Sequence, residues 1–332
     1  MTLRIGWIGC GTHASQMLLP QLVGFDVEIA ALCDTNAERL GLIARRYGVR
    51  ETYADAAELI AHPGLDAVGM AVGPGVHAAM GLAAVERGLP VFMEKPPAAT
   101  AAEAERLAEA SARTGVPVTV GFMKRFASGN RIARNIVTGD RFGPVLGLMG
   151  WYLTAPTYFA GEVDYTGFFL HHCVHYMDLV PYLGGGAVAD MSVRKVENGP
   201  GRLLFHVSFG LEGGAMASVA MGTVQSRGNP VEFVQITGDH QRVEVDNVAD
   251  VTWYRDPPFK ADDPAADMSG ERDALTWRPN LTAAANEDHK GYRPLLAEAL
   301  AAFRGEPNTA PTIADGAVAL RHLETMRRLL DC

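Results

Sequence analysis

The chain has 332 residues, of which 48% are hydrophobic and 20% charged, and a formal net charge of -9. That length suggests two domains, and the apolar share is enough to bury sizeable cores. The acidic balance, without a Lys/Arg-rich run, argues against nucleic acid as the main partner and against attraction to anionic lipid. No apolar run is long enough to span a membrane. The N-terminus enters a strand pattern with no basic region and apolar core before it, so a signal peptide is not expected and a cytoplasmic location is. Cys10, Cys33, Cys173 and Cys332 form no C-x-x-C pair. They read as free thiols of a reducing compartment, two of them in apolar strand-like runs.

In chain order, Leu3–Ile8 reads as a strand, Gly9-Cys10-Gly11-Thr12-His13-Ala14 as a turn, and Ser15–Leu22 as a helix. This is G-x-G-x-x-A between strand and helix. Gly9 allows the tight turn, Gly11 lets a pyrophosphate approach the backbone, and Ala14 lets helix and strand pack closely. Thr12 and His13 stand in the loop whose helix N-terminus offers N–H groups to phosphate. The strand Val27–Cys33 ends in Asp34, about 20 positions on, where a ribose-binding carboxylate is expected. Asp34-Thr35-Asn36 also reads as an N-cap for Ala37–Tyr47; with the glycines in place, the ribose role is favoured. A carboxylate there repels a 2′-phosphate, so NAD is expected over NADP, with Arg39 softening the preference.

The alternation continues through a helix at Ala54–Ala61 and a strand at Ala67–Val72, then Gly73-Pro74-Gly75 and a helix at Val76–Arg87. The strand Val91–Met93 runs into Glu94-Lys95-Pro96-Pro97. Proline ends that strand and holds Lys95 extended at its carboxyl end, where open parallel sheets bind ligands. A helix at Ala101–Thr114 and a strand at Pro117–Val120 complete a parallel, doubly wound domain over residues 1–122.

The pattern changes from residue 123. Met123-Lys124-Arg125-Phe126 precedes a helix at Asn130–Thr138 and a strand at Val145–Leu153, followed by the aromatic loop Thr154–Thr166. A helix at Phe168–Leu183 leads to six strand-like runs between Val188 and Arg255, joined by short turns that imply a mainly antiparallel sheet. Asp256–Pro279 reads as a polar surface excursion, and helices near Glu287–Arg304 and Ile313–Leu330 close the sequence. The fold class is therefore α/β: a Rossmann domain, then residues 123–332 as a substrate and assembly domain whose terminal helices can pack back on the first.

In this order the motifs resemble the Gfo/Idh/MocA oxidoreductases over essentially the whole chain. The carriers are Gly9–Ala14, Asp34, Gly73-Pro74-Gly75-Val76-His77, Glu94-Lys95-Pro96, Arg125-Phe126 and the helix Gly167–Leu179. The resemblance implies NAD(P)-dependent hydride transfer on sugars, cyclitols or related polyols. It also implies a large open sheet that makes a homodimer or homotetramer. It places the family lysine on Lys95 and the family histidine on His175, with Asp178 as the aspartate three residues on. Gly73, Pro74, His77 and Glu94 join the cofactor set.

Two family positions depart: His171 replaces an aspartate and Cys173 a glycine. Histidine suits general-base chemistry near neutrality, and lysine stabilises a developing alkoxide. His175 and Lys95 are assigned these roles, with His171 beside them. His171 and His175, four apart on one helix face, have a metal-ligand spacing, but H-H-x-x-H lacks an obvious carboxylate or cysteine partner, and no metal is expected. Arg125 is a substrate contact, a tie between the domains or a structural salt bridge. Tyr152, Tyr158 and His172 are further substrate candidates, each equally at home in packing. The alternatives to a dehydrogenase are a binding-only sensor and an enzyme that retains NAD through a closed redox cycle.

Overall fold

The computed structural model describes residues 2–155, 166–226, 230–255, 274–280 and 288–331. It divides into two compact units, Met1–Met123 with Tyr292–Glu324, and Lys124–Gly291 with Thr325–Cys332.

The first unit is built on a six-stranded sheet in the order β3-β2-β1-β4-β5-β6. The strands are β1 (Leu3–Ile8), β2 (Val27–Cys33), β3 (Glu51–Tyr53), β4 (Ala67–Met70), β5 (Val91–Met93) and β6 (Val118–Val120). All neighbouring pairs are parallel. Chain order reverses between β1 and β4, so the carboxyl ends of these two strands form the crevice where such sheets bind ligands. The central strands are buried on both faces: Ile5, Trp7, Val68, Met70, Val91 and Met93 are almost inaccessible. Gly69 lies under the Trp7 indole, where a Cβ would come within 2.3 Å of the ring.

The helices of this unit carry the signals that start helices. In α2 (Ala37–Tyr47) the N-cap is Asn36, whose side chain accepts the Arg39 N–H. In α5 (Ala101–Thr114), Thr100 and Glu103 form a capping box that satisfies two otherwise orphaned donors. The remaining helices are α1 (Leu19–Leu22), α3 (Ala56–Ala61) and α4 (Pro74–Glu86). A π-helical turn, Ala14–Leu18, precedes α1 where a regular α-helix is predicted from the sequence. The three-residue β3 was not predicted.

Residues 292–324 complete this unit. Helix α9 (Tyr292–Phe303) and α10 (Ile313–Asp331) bracket a short extended stretch. There Thr312 bridges Thr119, and the Pro311 carbonyl accepts the Val120 N–H at 2.8 Å. Glu324 accepts the Ala101 N–H at 2.7 Å, closing the start of α5.

The second unit carries an eight-stranded sheet in the order β14-β13-β12-β11-β7-β10-β9-β8. Its strands are β7 (Gly147–Leu153), β8 (Val188–Glu197), β9 (Leu203–Leu211), β10 (Met216–Gly222), β11 (Val231–Gly238), β12 (Gln241–Asp246), β13 (Asp250–Tyr254) and β14 (Leu275–Trp277). The sheet is antiparallel except where β7 lies parallel to β10. That pair is remote in sequence and escapes a rule based on short turns. Strand β14 lies within Asp256–Pro279, which the sequence reading took as an excursion; pairing with β13 recruits it to the sheet edge.

One face of this sheet is buried, as the alternation of Leu203, Phe205, Val207, Phe209 and Leu211 shows, and α8 (Val174–Gly184) and α6 (Ser128–Val137) cover it. Met149, Trp151 and Met216 stand exposed on the other face. Ahead of α8 lie a short helix, α7 (Thr166–Phe168), and a π-helical turn, Phe169–Cys173.

Candidate active site

The glycine turn is shaped by contacts that only glycine tolerates. Gly9 has φ +90°, and a Cβ there would lie 2.4 Å from the Ala71 carbonyl oxygen. Its N–H donates to the Cys33 carbonyl at 2.8 Å, tying the turn to the end of β2. Asp34 is buried. Its Oδ2 accepts the Cys10 N–H and its Oδ1 the Asn36 N–H, both at 2.8 Å. Each carboxylate oxygen keeps a further lone pair. Asp34 therefore props the turn open and still presents acceptors to its surroundings.

Asn36, not Asp34, caps α2. The Arg39 guanidinium stands 3.7 Å from Asp34 Oδ2. A cavity of about 340 Å³ is lined by Gly9, Gly11, Asp34, Arg39, Val72 and Gly73, among others. A backbone cradle, a carboxylate and an open cavity at the sheet's crevice fit the adenosine end of a dinucleotide. Burial, followed by the nearby Asp34 charge, pushes the Cys10 thiol up to about 12 and the Cys33 thiol up to about 11. Both remain neutral small hydrophobes. Cys10, Cys33 and Cys173 are unbridged; Cys332 lies outside the described residues.

The loop after β5 is fixed at several points. The Glu94 N–H donates to the Met70 carbonyl at 3.0 Å, and its buried carboxylate accepts the Lys95 N–H at 3.1 Å. The other carboxylate oxygen is 3.4 Å from His13 Nε2. Gly121 supplies the space for this group, since a Cβ there would lie 2.8 Å from the carboxyl carbon. The Lys95–Pro96 bond is cis.

His77 departs from its predicted cofactor role. It is fully buried; Nε2 accepts the Val72 N–H at 3.1 Å, and Nδ1 donates to the Pro96 carbonyl at 2.9 Å. Burial lowers its pKa, so it is a neutral strut whose two ring nitrogens both serve backbone. It joins the loop after β4 to the loop that carries Lys95. Gly73 is exposed, and Pro74 opens α4 at its first position, where a missing N–H costs nothing. Thr12 and His13 are exposed and Ala14 is buried, as the fingerprint requires. The His13 ring meets the edge of Tyr292, with centroids 5.5 Å apart. Tyr292 and Gly121 belong to the site and carry no local sequence signal that would have found them.

In the second unit, Arg125 is committed to structure. Its guanidinium holds the Asp178 carboxylate through Nε, at 2.9 and 3.1 Å, and through Nη2. It also lies over the Tyr182 ring at 5.0 Å. The salt bridge is the predicted role that the structure forms. His175 is buried within α8 and His171 is exposed in the π-helical turn. A wide turn breaks the 3.6-residue register, so the spacing of four does not give the two imidazoles a common environment. Among the described residues no group of His, Cys, Asp and Glu could hold a metal ion.

His172 and Tyr152 form a pair, with Tyr152 Oη 2.5 Å from His172 Nδ1. The His172 ring also stacks on Phe168, and Tyr152 stacks on Tyr176 with centroids 5.2 Å apart. Lys124, which carries no local sequence signal of a role, is buried, ion-paired to Glu232, and 5.0 Å from the Tyr152 ring centroid. Tyr158 and residues 156–165 of the aromatic loop lie outside the described residues.

A sequence profile described as "Oxidoreductase family, NAD-binding Rossmann fold" (GFO_IDH_MocA) matches residues 3–122. An inositol 2-dehydrogenase of Salmonella typhimurium is 33% identical over 161 residues, 47% of this chain and 48% of the relative. The matched stretch thus spans about half the length of that curated relative. A dehydrogenase from Chromobacterium violaceum superposes with TM-score 0.86 at 25% identity, covering 98% of this chain and 95% of the other. A levoglucosan dehydrogenase, solved with NADH and levoglucosan, has the same fold with TM-score 0.83 at 19% identity, over 100% and 98% of the two chains. With the glycine cradle, Asp34 and the Lys95 loop in place at the ends of its parallel strands, residues 3–122 match the NAD-binding Rossmann model of the Gfo/Idh/MocA oxidoreductases.

Proposed function

We propose that the protein is an NAD(P)-dependent oxidoreductase. It moves a hydride between nicotinamide and a hydroxyl or carbonyl group of a sugar, cyclitol or related polyol. The observation that carries this reading is the Lys95 loop. It is pinned by Glu94 and His77 at the crevice of a sheet whose adjacent turn is built to admit a dinucleotide. The names of the relatives point to the same substrate class.

Gly9, Gly11, Thr12, His13 and Asp34 would hold the dinucleotide, with Gly73 and Val72 lining the cavity. Bound there, NAD(P) supplies a two-electron hydride acceptor. Lys95 places a positive charge for the alkoxide that forms as an alcohol is oxidised. A proton acceptor is also needed, and the second unit offers His175 and the Tyr152–His172 pair.

A screen of sugars and cyclitols, read by nicotinamide absorbance with each cofactor in parallel, tests the reading. Turnover is expected, with NAD bound about tenfold tighter than NADP, equivalent to about 1.4 kcal/mol. The Asp34 carboxylate opposes a 2′-phosphate, and Arg39 at 3.7 Å limits the discrimination. Dinucleotide binding without turnover on any polyol would favour the sensor reading. Dinucleotide that survives purification would favour the closed redox cycle.

Copies of the chain are proposed to meet through the open sheet face bearing Met149, Trp151 and Met216. An exposed apolar patch of this kind marks an association surface. Light scattering at micromolar concentration should give a dimer or tetramer mass; a monomer mass would dismiss the proposal.

A further inference from the structure

The second unit holds four side chains whose arrangement is that of an acid–base centre. Strand β7 and the π-helical turn bring Tyr152 Oη to 2.5 Å from His172 Nδ1. Strand β11 places Glu232 directly opposite Tyr152 in the sheet. The 3₁₀ turn Met123–Phe126 extends Lys124 to meet both, its ammonium ion-paired to Glu232 and 5.0 Å from the Tyr152 ring centroid. Glu232 supplies the carboxylate that partners this buried ammonium.

The ring cannot swing away. Tyr176 stacks on one side of Tyr152, and Phe168 holds the imidazole of His172. Tyr176 is itself no competitor, since burial, and then the Glu232 charge, raises its pKa well above the ordinary value. Tyr152 and His172 are both partly exposed, whereas His175 is buried within α8.

We propose that Tyr152 is the proton-transfer residue of this site, with His172 as the partner that takes its proton. The inference rests on the dehydrogenase reading above. In the oxidising direction the substrate hydroxyl proton passes to Tyr152 Oη as the tyrosine proton passes to His172 Nδ1. With NAD(P) bound, the oxidised cofactor would supply the acceptor for the carbon-bound hydrogen and its electron pair, and the O–H bonding pair would become the second bond of the carbonyl. The imidazolium then releases its proton to water. Lys124 and Glu232 are positioning residues that act through Tyr152.

Tyr152→Phe removes one oxygen and keeps the ring stacking, so the fold should survive. Turnover is expected to fall about a hundredfold or more, the usual contribution of a positioned acid–base group, while KM and NADH affinity move by no more than about threefold. His172→Gln keeps a hydrogen-bond acceptor but cannot take a proton. It should lower kcat and flatten the acid limb of its pH profile. A second readout is independent of turnover. In cofactor-free protein followed by NMR, the pH at which His172 titrates should rise in Tyr152→Phe, because an O–H donor to the neutral imidazole has been lost. Identical His172 titrations in the two proteins, or full turnover by Tyr152→Phe, would overturn the assignment. A wild-type protein inactive on every polyol would instead defeat the dehydrogenase reading, and the NMR comparison would still decide whether the pair is coupled.

Discussion

Lys95→Ala should lower turnover on a polyol substrate by about 10²–10³-fold, or about 3–4 kcal/mol, the usual loss when one donor to a developing oxyanion is deleted. NADH affinity should stay within about threefold of wild type. The separation follows from how the loop is held. The Lys95 backbone is fixed by its N–H to Glu94, and the next residue by the Pro96 carbonyl to His77. Neither contact involves the lysine side chain, so both survive its truncation. Lys95→Arg keeps the charge on a longer, planar group and should recover only part of the rate. Steady-state kinetics and a fluorescence titration with NADH check both halves. A parallel collapse of affinity and rate would mean that Lys95 serves binding and not the chemical step.

The largest effect on stability is expected at Asp178. Its carboxylate has a side-chain exposure of 3% and is paired to an Arg125 guanidinium of 14%. Arg134 adds a second guanidinium, 4.9 Å from the same Tyr182 ring that Arg125 covers. Asp178→Ala would remove the carboxylate that the Arg125 guanidinium holds through Nε and Nη2. Removing one partner of a buried ion pair costs about 3–5 kcal/mol. Adding Arg125→Met to Asp178→Ala should recover most of that loss, because the uncompensated charge disappears with the arginine. Urea unfolding of the two variants measures the difference. If Asp178→Ala lost less than about 1 kcal/mol, the range of a solvated surface pair, Arg125 would return as a substrate contact.

Much of the first unit was legible because its physics is local. A buried strand, a glycine turn and a capped helix each write their pattern into adjacent residues, and the order of Gly9, Asp34 and Lys95 followed directly. Three-residue β3 has no room for a pattern, and β14 sits among prolines and charges that read as loop. In the second unit the strands were visible but not their partners, since pairing of β7 with β10 depends on residues far apart.

The site divides in the same way. His77 stands where a cofactor contact was expected, yet its two backbone partners, at Val72 and Pro96, could be known only from the folded loops. Arg125 left its role open until Asp178 was found against it. Lys124 and Glu232 are separated by 108 positions, and nothing near either residue announces the other. Tyr152 and His172 were each noticed singly. Their hydrogen bond, which changes what they can do, is a property of the fold.

The return of residues 292–324 to the first unit sets a limit on how this protein can be dissected. The family profile ends at residue 122, an attractive boundary at which to clone the nucleotide-binding half. A fragment cut there would keep every residue of the glycine fingerprint and lose the pieces that finish the structure around it. The Val120 N–H would lack the Pro311 carbonyl, the first turn of α5 would lack Glu324, and His13 would lack the Tyr292 ring. An unpaired edge strand is an invitation to aggregate. The minimal portable module is therefore assembled from two stretches, 1–123 and 292–324, with the whole of 124–291 as an insertion between them. Because the distant stretch must close a long loop before it can contribute, a ribosome delivering this chain has to synthesise the whole of 124–291 before the first unit can be completed.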